Sequence, residues 1–211
     1  STNIPKVSLE NVQFERIYIE SDDTTFDENY HSNVLKYEHS LAAKSFSLKS
    51  VVYSVLPTTL NVKNSTFKSI YGSSIFLMGR FEDLQKTALN STATFTNSSF
   101  SDNSAFFGTV LTVLPKSYDP NITITNCTFT KNFALDTGTL TVYNSFLTMQ
   151  DSNFTGNKAV IGPVLFMGSK TILNHLLRNN KYENSISHFP GHIRSEAVRI
   201  KVEYIPGSPQ N

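Results

Sequence analysis

The sequence predicts an all-β chain, folded as a right-handed single-stranded parallel β-helix with loop insertions, and three observations predict it. A loosely spelled line recurs at elastic spacing, apolar residues alternate with period two before each copy's Phe, and the charge is sparse. Only 17% of the 211 residues are charged, while Ser, Thr and Asn abound and Trp is absent. Such hydroxyl-rich outer positions suit strands better than helices, whose surfaces carry Glu, Lys and Arg.

The line is clearest in ITITNCTFTKNFALDTGTLTV at 122–142. Aligned on its Phe, the copies fall on Phe14, Phe67, Phe100, Phe129 and Phe154, with Leu177 as a weaker sixth anchor, at spacings of 53, 33, 29, 25 and 23 residues. An elastic period of this size belongs to a solenoid whose coils tolerate insertions. The long first gap is expected to hide a degenerate coil near SFSLKSVVYSVL at 45–56, plus an acidic loop containing Asp22, Asp23, Asp27 and Glu28.

Each copy begins as a strand with one face buried. Five and seven residues before the best anchors stand Val62 and Leu60, Phe95 and Ala93, Ile124 and Ile122, and Met149 and Leu147, separated by polar residues. That alternation is a half-buried strand. A bend follows, because the residue three before each anchor is Asn11, Asn64, Asn97, Asn126, Asp151 or Asn174. Parity makes both Asn126 and Cys127 inward, which requires a corner. Asn tolerates the left-handed conformation there, and stacked inward amides are expected to bond along the column. Beyond the anchor, Ile70, Asn103, Asn132 and Asn157 occupy one column and Gly72, Ala105, Ala134 and Ala159 another, before a second apolar run such as GTVLTVL at 108–114. Coil stacked on coil at about 4.8 Å would enclose one core. The β-helix is assigned residues 1–186, regular from 60, and residues 187–211 form a cap or the start of a following segment.

The strings NCTFTKNFALDTG and NSSFSDNSAFFG resemble repeats of pectin-lyase-like β-helix proteins, as found in ciliate extracellular surface proteins and chlamydial polymorphic outer-membrane proteins. The resemblance spans residues 60–186 and, before them, only Phe14; NNKYENSISHFPGHIR looks like the exit from a ciliate-type helix. The Gly-Gly pair of the bacterial branch is absent. What the resemblance implies is an architecture, and it carries no catalytic residue onto this chain.

Composition narrows the function. A net charge of +1 gives no electrostatic case for nucleic acid or an anionic membrane, and no run of 18 apolar residues is present to span one. The chain opens at Ser1 without a basic-then-apolar leader, as expected of a processed product or a segment of something longer. Six Asn-x-Ser/Thr acceptors point to an extracellular glycoprotein. Asn90 and Asn121 are expected in inter-coil loops and Asn153 on an outward position, all three carrying glycans; Asn64, Asn97 and Asn126, in the bend, are expected to be unmodified. Sugar-cleaving enzymes need converging carboxylates, and the outward columns hold none. His188 and His192 are separated by Phe-Pro-Gly, unsuited to a helical ligand pair, and Cys127 fills a small-residue column. No catalytic, cofactor-binding or metal residue is assigned. The expectation is a structural or adhesive segment at the cell surface, with protein–protein or self-assembly contacts. Its alternatives are a carbohydrate-binding or polysaccharide-cleaving β-helix and, on the Thr columns of TFT and TIT, a binder of ice or crystal surfaces.

Overall fold

The computed structural model describes residues 4–19, 50–54, 57–79, 91–114, 120–168, 176–189 and 191–195. Four parallel sheets wrap a single core, three with six strands and one with five, and in each sheet the strands follow chain order along the stack. The chain is a parallel β-solenoid.

The first sheet takes Lys6–Glu10, Thr59–Lys63, Thr92–Thr96, Asn121–Thr125, Phe146–Gln150 and Leu176–Arg178. The register is unbroken, so Val7, Leu60, Ala93, Ile122 and Leu147 share one inward column. The second takes Gln13–Glu15, Thr66–Lys68, Ser99–Ser101, Thr128–Thr130, Asn153–Thr155 and Lys181–Glu183. Two-residue strands from Tyr71–Gly72 to Ile186–Ser187 form the third. The fourth, from Ser50–Ser54 to Ile193–Ser195, is buried on both faces at its centre, as at Leu140–Val142. Its last strand lies within 187–211, so that segment opens as part of the solenoid.

The second sheet carries the anchors. Phe14, Phe67, Phe100, Phe129 and Phe154 align rung by rung, but their sixth partner is Tyr182. Leu177 lies instead in the first sheet beside Met149, five residues early. Asn174 falls outside the described residues, and the bend position of that rung belongs to Asn179. The hidden coil of the first gap is also corrected. Strand Lys6–Glu10 pairs directly with Thr59–Lys63, and Ser50–Ser54 closes the first coil by pairing with Ser74–Met78. The acidic residues Asp22, Asp23, Asp27 and Glu28 lie outside the described residues.

Two bends turn each coil through left-handed backbone. The first holds Asn11, Asn64, Asn97, Asn126, Asp151 and Asn179, with φ between 48° and 55°. The second, two residues after each anchor, holds Arg16, Ser69, Asp102, Lys131, Gly156 and Asn184. Asn and Gly accept this conformation readily, whereas Lys131 and Arg16 do so at a steric cost.

The interior is polar along one line. Asn103, Asn132 and Asn157 are at most 1% exposed. The Asn103 amide donates to Asn132 Oδ1 at 2.9 Å, and the Asn132 amide donates to Asn157 Oδ1 at 3.0 Å. Each amide also donates to a carbonyl of an anchor, Phe67, Phe100 or Phe129. A buried amide with all its groups paired stabilises a rung that an unpaired one would weaken.

Candidate functional site

The outer surface at the first bend is a polar groove. It has a volume of about 330 Å³ and is lined by Asn64, Asn97 and Asn126 together with Ser65, Thr66, Ser98, Ser99 and Thr128. Its asparagines form a ladder: Asn64 Nδ2 donates to Asn11 Oδ1 at 3.2 Å, Asn97 to Asn64 at 3.3 Å, and Asn126 to Asn97 at 2.9 Å. All of them are exposed, which corrects the inward placement read from parity. A left-handed residue ends the strand's alternation, so Asn126 swings out while Cys127 beside it turns in. The inward small column is Ser65, Ser98, Cys127 and Ser152, and Asn180 continues it by accepting the Ser152 N–H at 3.0 Å.

Asp151 interrupts the ladder. It accepts from Asn179 Nδ2 at 3.1 Å, but an ionised carboxylate has no proton for Asn126 Oδ1 one rung away. Asp151→Asn is expected to complete the run and stabilise the fold by about 0.5–1 kcal/mol, the net worth of one partly solvated hydrogen bond. A midpoint for urea unfolding at or below the parent's would refute this.

The groove gathers three glycan acceptors on consecutive rungs, about 4.8 Å apart. Exposure removes burial as the reason to expect Asn64, Asn97 and Asn126 unmodified, and the spacing, narrower than a glycan, leaves crowding between neighbouring rungs as the remaining one. Asn121 is exposed but stands as the first residue of strand Asn121–Thr125 rather than in a loop. Asn153 is half-buried and accepts from Thr155 Oγ1 at 3.4 Å, and Asn90 is outside the described residues.

Beside the groove lies the outer face of the first sheet. Thr92, Thr94 and Thr96 stack in register on Asn121, Thr123 and Thr125, followed by Phe146, Thr148 and Gln150. In the first sheet Glu10 is held by Lys63 at 3.1 Å, and in the second Glu15 is held by Lys68 at 3.6 Å. Among the described residues no group of three or more His, Cys, Asp or Glu side chains is placed to hold a metal ion. His188 packs edge-on to Phe189 and His192 stacks on Tyr182, so the two serve different contacts. Burial pushes the Cys127 thiol up to about 11, partly offset by a backbone hydrogen bond from Ser98. A thiol held neutral in this way is a poor nucleophile.

One surface escaped the reading of the sequence. Four residues after the anchors stand Tyr18, Tyr71, Ser104, Phe133, Lys158 and Ile186, the outward column of the third sheet. Tyr18 is 63% exposed, Tyr71 44% and Phe133 37%, and the two tyrosine rings lie 6.1 Å apart. This column lies between two inward ones, but the left-handed residue two after each anchor resets the alternation, so its direction was not legible in the sequence. The fold defined by these sheets is a β-solenoid, and comparison with protein-family models, curated proteins and solved structures gives no match.

Proposed function

We propose that the chain is a structural or adhesive segment of an extracellular or cell-surface β-helix protein, related to the pectin-lyase-like surface solenoids its repeats resemble. One observation carries the reading: two amide ladders and an aromatic column run rung to rung, giving a stiff rod sheathed in Thr, Ser and Asn. Such a rod spaces and presents its faces, and contact with neighbours is its work. No helix among the described residues is long and apolar enough to cross a membrane. Native mass spectrometry with glycopeptide mapping on protein from its natural source tests the proposal. The expected result is glycans at Asn90, Asn121 or Asn153 within a higher-order assembly. An unglycosylated monomer would overturn it.

A second reading is favoured by the exposed Tyr18, Tyr71 and Phe133. Aromatic rings spaced along a flat face can stack on the apolar faces of sugars, which makes carbohydrate binding the alternative. Retention on immobilised polysaccharide that is lost on Tyr71→Ala would support it, and equal retention of both proteins would count against it.

A further inference from the structure

The groove at the first bend holds three acceptors on consecutive rungs, spelled Asn64-Ser65-Thr66, Asn97-Ser98-Ser99 and Asn126-Cys127-Thr128. All three asparagines are exposed, and left-handed backbone with φ between 48° and 51° turns their side chains out of the core. Whether they can carry glycans depends on what a glycan does to the amide ladder.

The ladder uses only part of what each amide offers. A side-chain amide nitrogen has two protons. Asn64 Nδ2 donates one to Asn11 Oδ1 at 3.2 Å, Asn97 one to Asn64 at 3.3 Å and Asn126 one to Asn97 at 2.9 Å, and among the described residues the second has no partner. Because the stack repeats from rung to rung, the carbonyl and the donated N–H of one amide point opposite ways along it. The donated proton is therefore the one anti to the carbonyl, which a trans secondary amide keeps. In N-glycosylation, Nδ2 attacks the anomeric carbon of an oligosaccharide carried on a lipid diphosphate. The N–C bond forms as the bond from that carbon to the diphosphate oxygen breaks, the lipid diphosphate leaves, and one Nδ2 proton is lost to base. The sugar takes the place of the proton the ladder does not use, so a glycosylated asparagine still donates to the rung before it.

Crowding then acts only between neighbours. Adjacent acceptors stand about 4.8 Å apart, whereas Asn64 and Asn126 are two rungs and about 10 Å apart, room for the unbranched stems of two glycans. Their outer sides hold no competitor. The bend residue before Asn64 is Asn11, followed by Val12 and Gln13 and so no acceptor, and the one after Asn126 is Asp151, which has no amide. The spelling carries the same alternation: the two outer acceptors end in Thr66 and Thr128, the stronger form, and the middle one in Ser99.

We infer that the groove carries N-linked glycans on alternate rungs, at Asn64 and Asn126, with Asn97 bare between them. This reverses the expectation for the two outer acceptors and rests on the extracellular reading proposed above. Glycans there would shield the groove edge of the rod and leave lateral contacts to its other faces.

Glycopeptide mapping and intact mass of the chain secreted by a eukaryotic cell test the inference. The expected result is a molecule occupied at Asn64 and Asn126 and bare at Asn97. A bare groove in that protein would overturn the inference and leave the extracellular reading to its own experiment, since the cell here supplies the compartment. Natural-source protein bare at all six acceptors would overturn both. Three glycans on one secreted molecule would also overturn the inference, because spacing would then exclude nothing. Thr66→Ala with Thr128→Ala removes the outer acceptors and keeps their asparagines in the ladder, so adding Ser99→Thr should bring Asn97 to full occupancy. Ser99→Thr alone should instead lower the amount secreted severalfold, since three adjacent glycans do not fit. If Asn97 stayed bare in the triple variant, crowding would not be what excludes it, and the alternation would fail.

Discussion

Asn132→Ala is expected to destabilise the fold by roughly 4 kcal/mol, several times the effect of the same change at the surface asparagine Asn97. The Asn132 side chain joins three rungs. Its Oδ1 accepts the Asn103 N–H at 3.2 Å and the Asn103 amide at 2.9 Å, while its Nδ2 donates to Asn157 Oδ1 and to the Phe100 carbonyl, both at 3.0 Å. Truncation takes a partner from four buried groups, of which the Asn103 amide keeps the Phe67 carbonyl and Asn157 Oδ1 keeps the backbone N–H of residue 132. Each unsatisfied buried group costs about 1–3 kcal/mol, and a water entering the vacated space would recover part of the total. Asn97 also has two rung neighbours, but its amide is exposed, so water replaces what the substitution removes. Urea denaturation followed by circular dichroism gives both values. If Asn132→Ala proved no more harmful than Asn97→Ala, the inner ladder would not be the polar spine described here.

The inner ladder also shows where the sequence stops being legible. The solenoid itself could be read because Leu60, Val62 and their equivalents alternate, and because Asn recurs at a bend where few other residues are comfortable. Which asparagine column faced inward could not be read by counting parity, since each left-handed residue resets the count. The first bend announces itself through Asn, but the second contains Arg16, Ser69 and Lys131, which carry no such signature. The column of Asn103 and Asn132 was visible as a repeat while its burial was not. In the last described rung the anchor changes from Phe to Tyr182, a half-buried position whose hydroxyl bonds the Asn180 side chain, so Leu177 looked the better match. The first gap misled for another reason. A solenoid accepts a long insertion between strands at little entropic penalty, because loop closure grows only slowly with length. A gap of 53 residues therefore need not contain a second coil.

Phe129→Ala is expected to cost about 4 kcal/mol, and Phe14→Ala at the first rung about half as much. Phe129 is fully buried, with its ring centroid 5.1 Å from Phe100 and 4.3 Å from Phe154, tilted by 10° and 6°. Removing it opens a cavity between two rings fixed to the rungs on either side. The rungs cannot close the gap, because backbone hydrogen bonds hold them at sheet spacing, so the full cavity penalty for a large-to-small change applies. Among the described residues Phe14 stacks on Phe67 alone, at 5.2 Å, and it is only half-buried, so its removal opens a less enclosed void. The ratio of the two losses is thus a measure of how fully each ring is enclosed. Thermal unfolding of the isolated chain at low concentration should show the twofold difference. Equal losses for the two substitutions would show instead that Phe14 is enclosed as fully as Phe129.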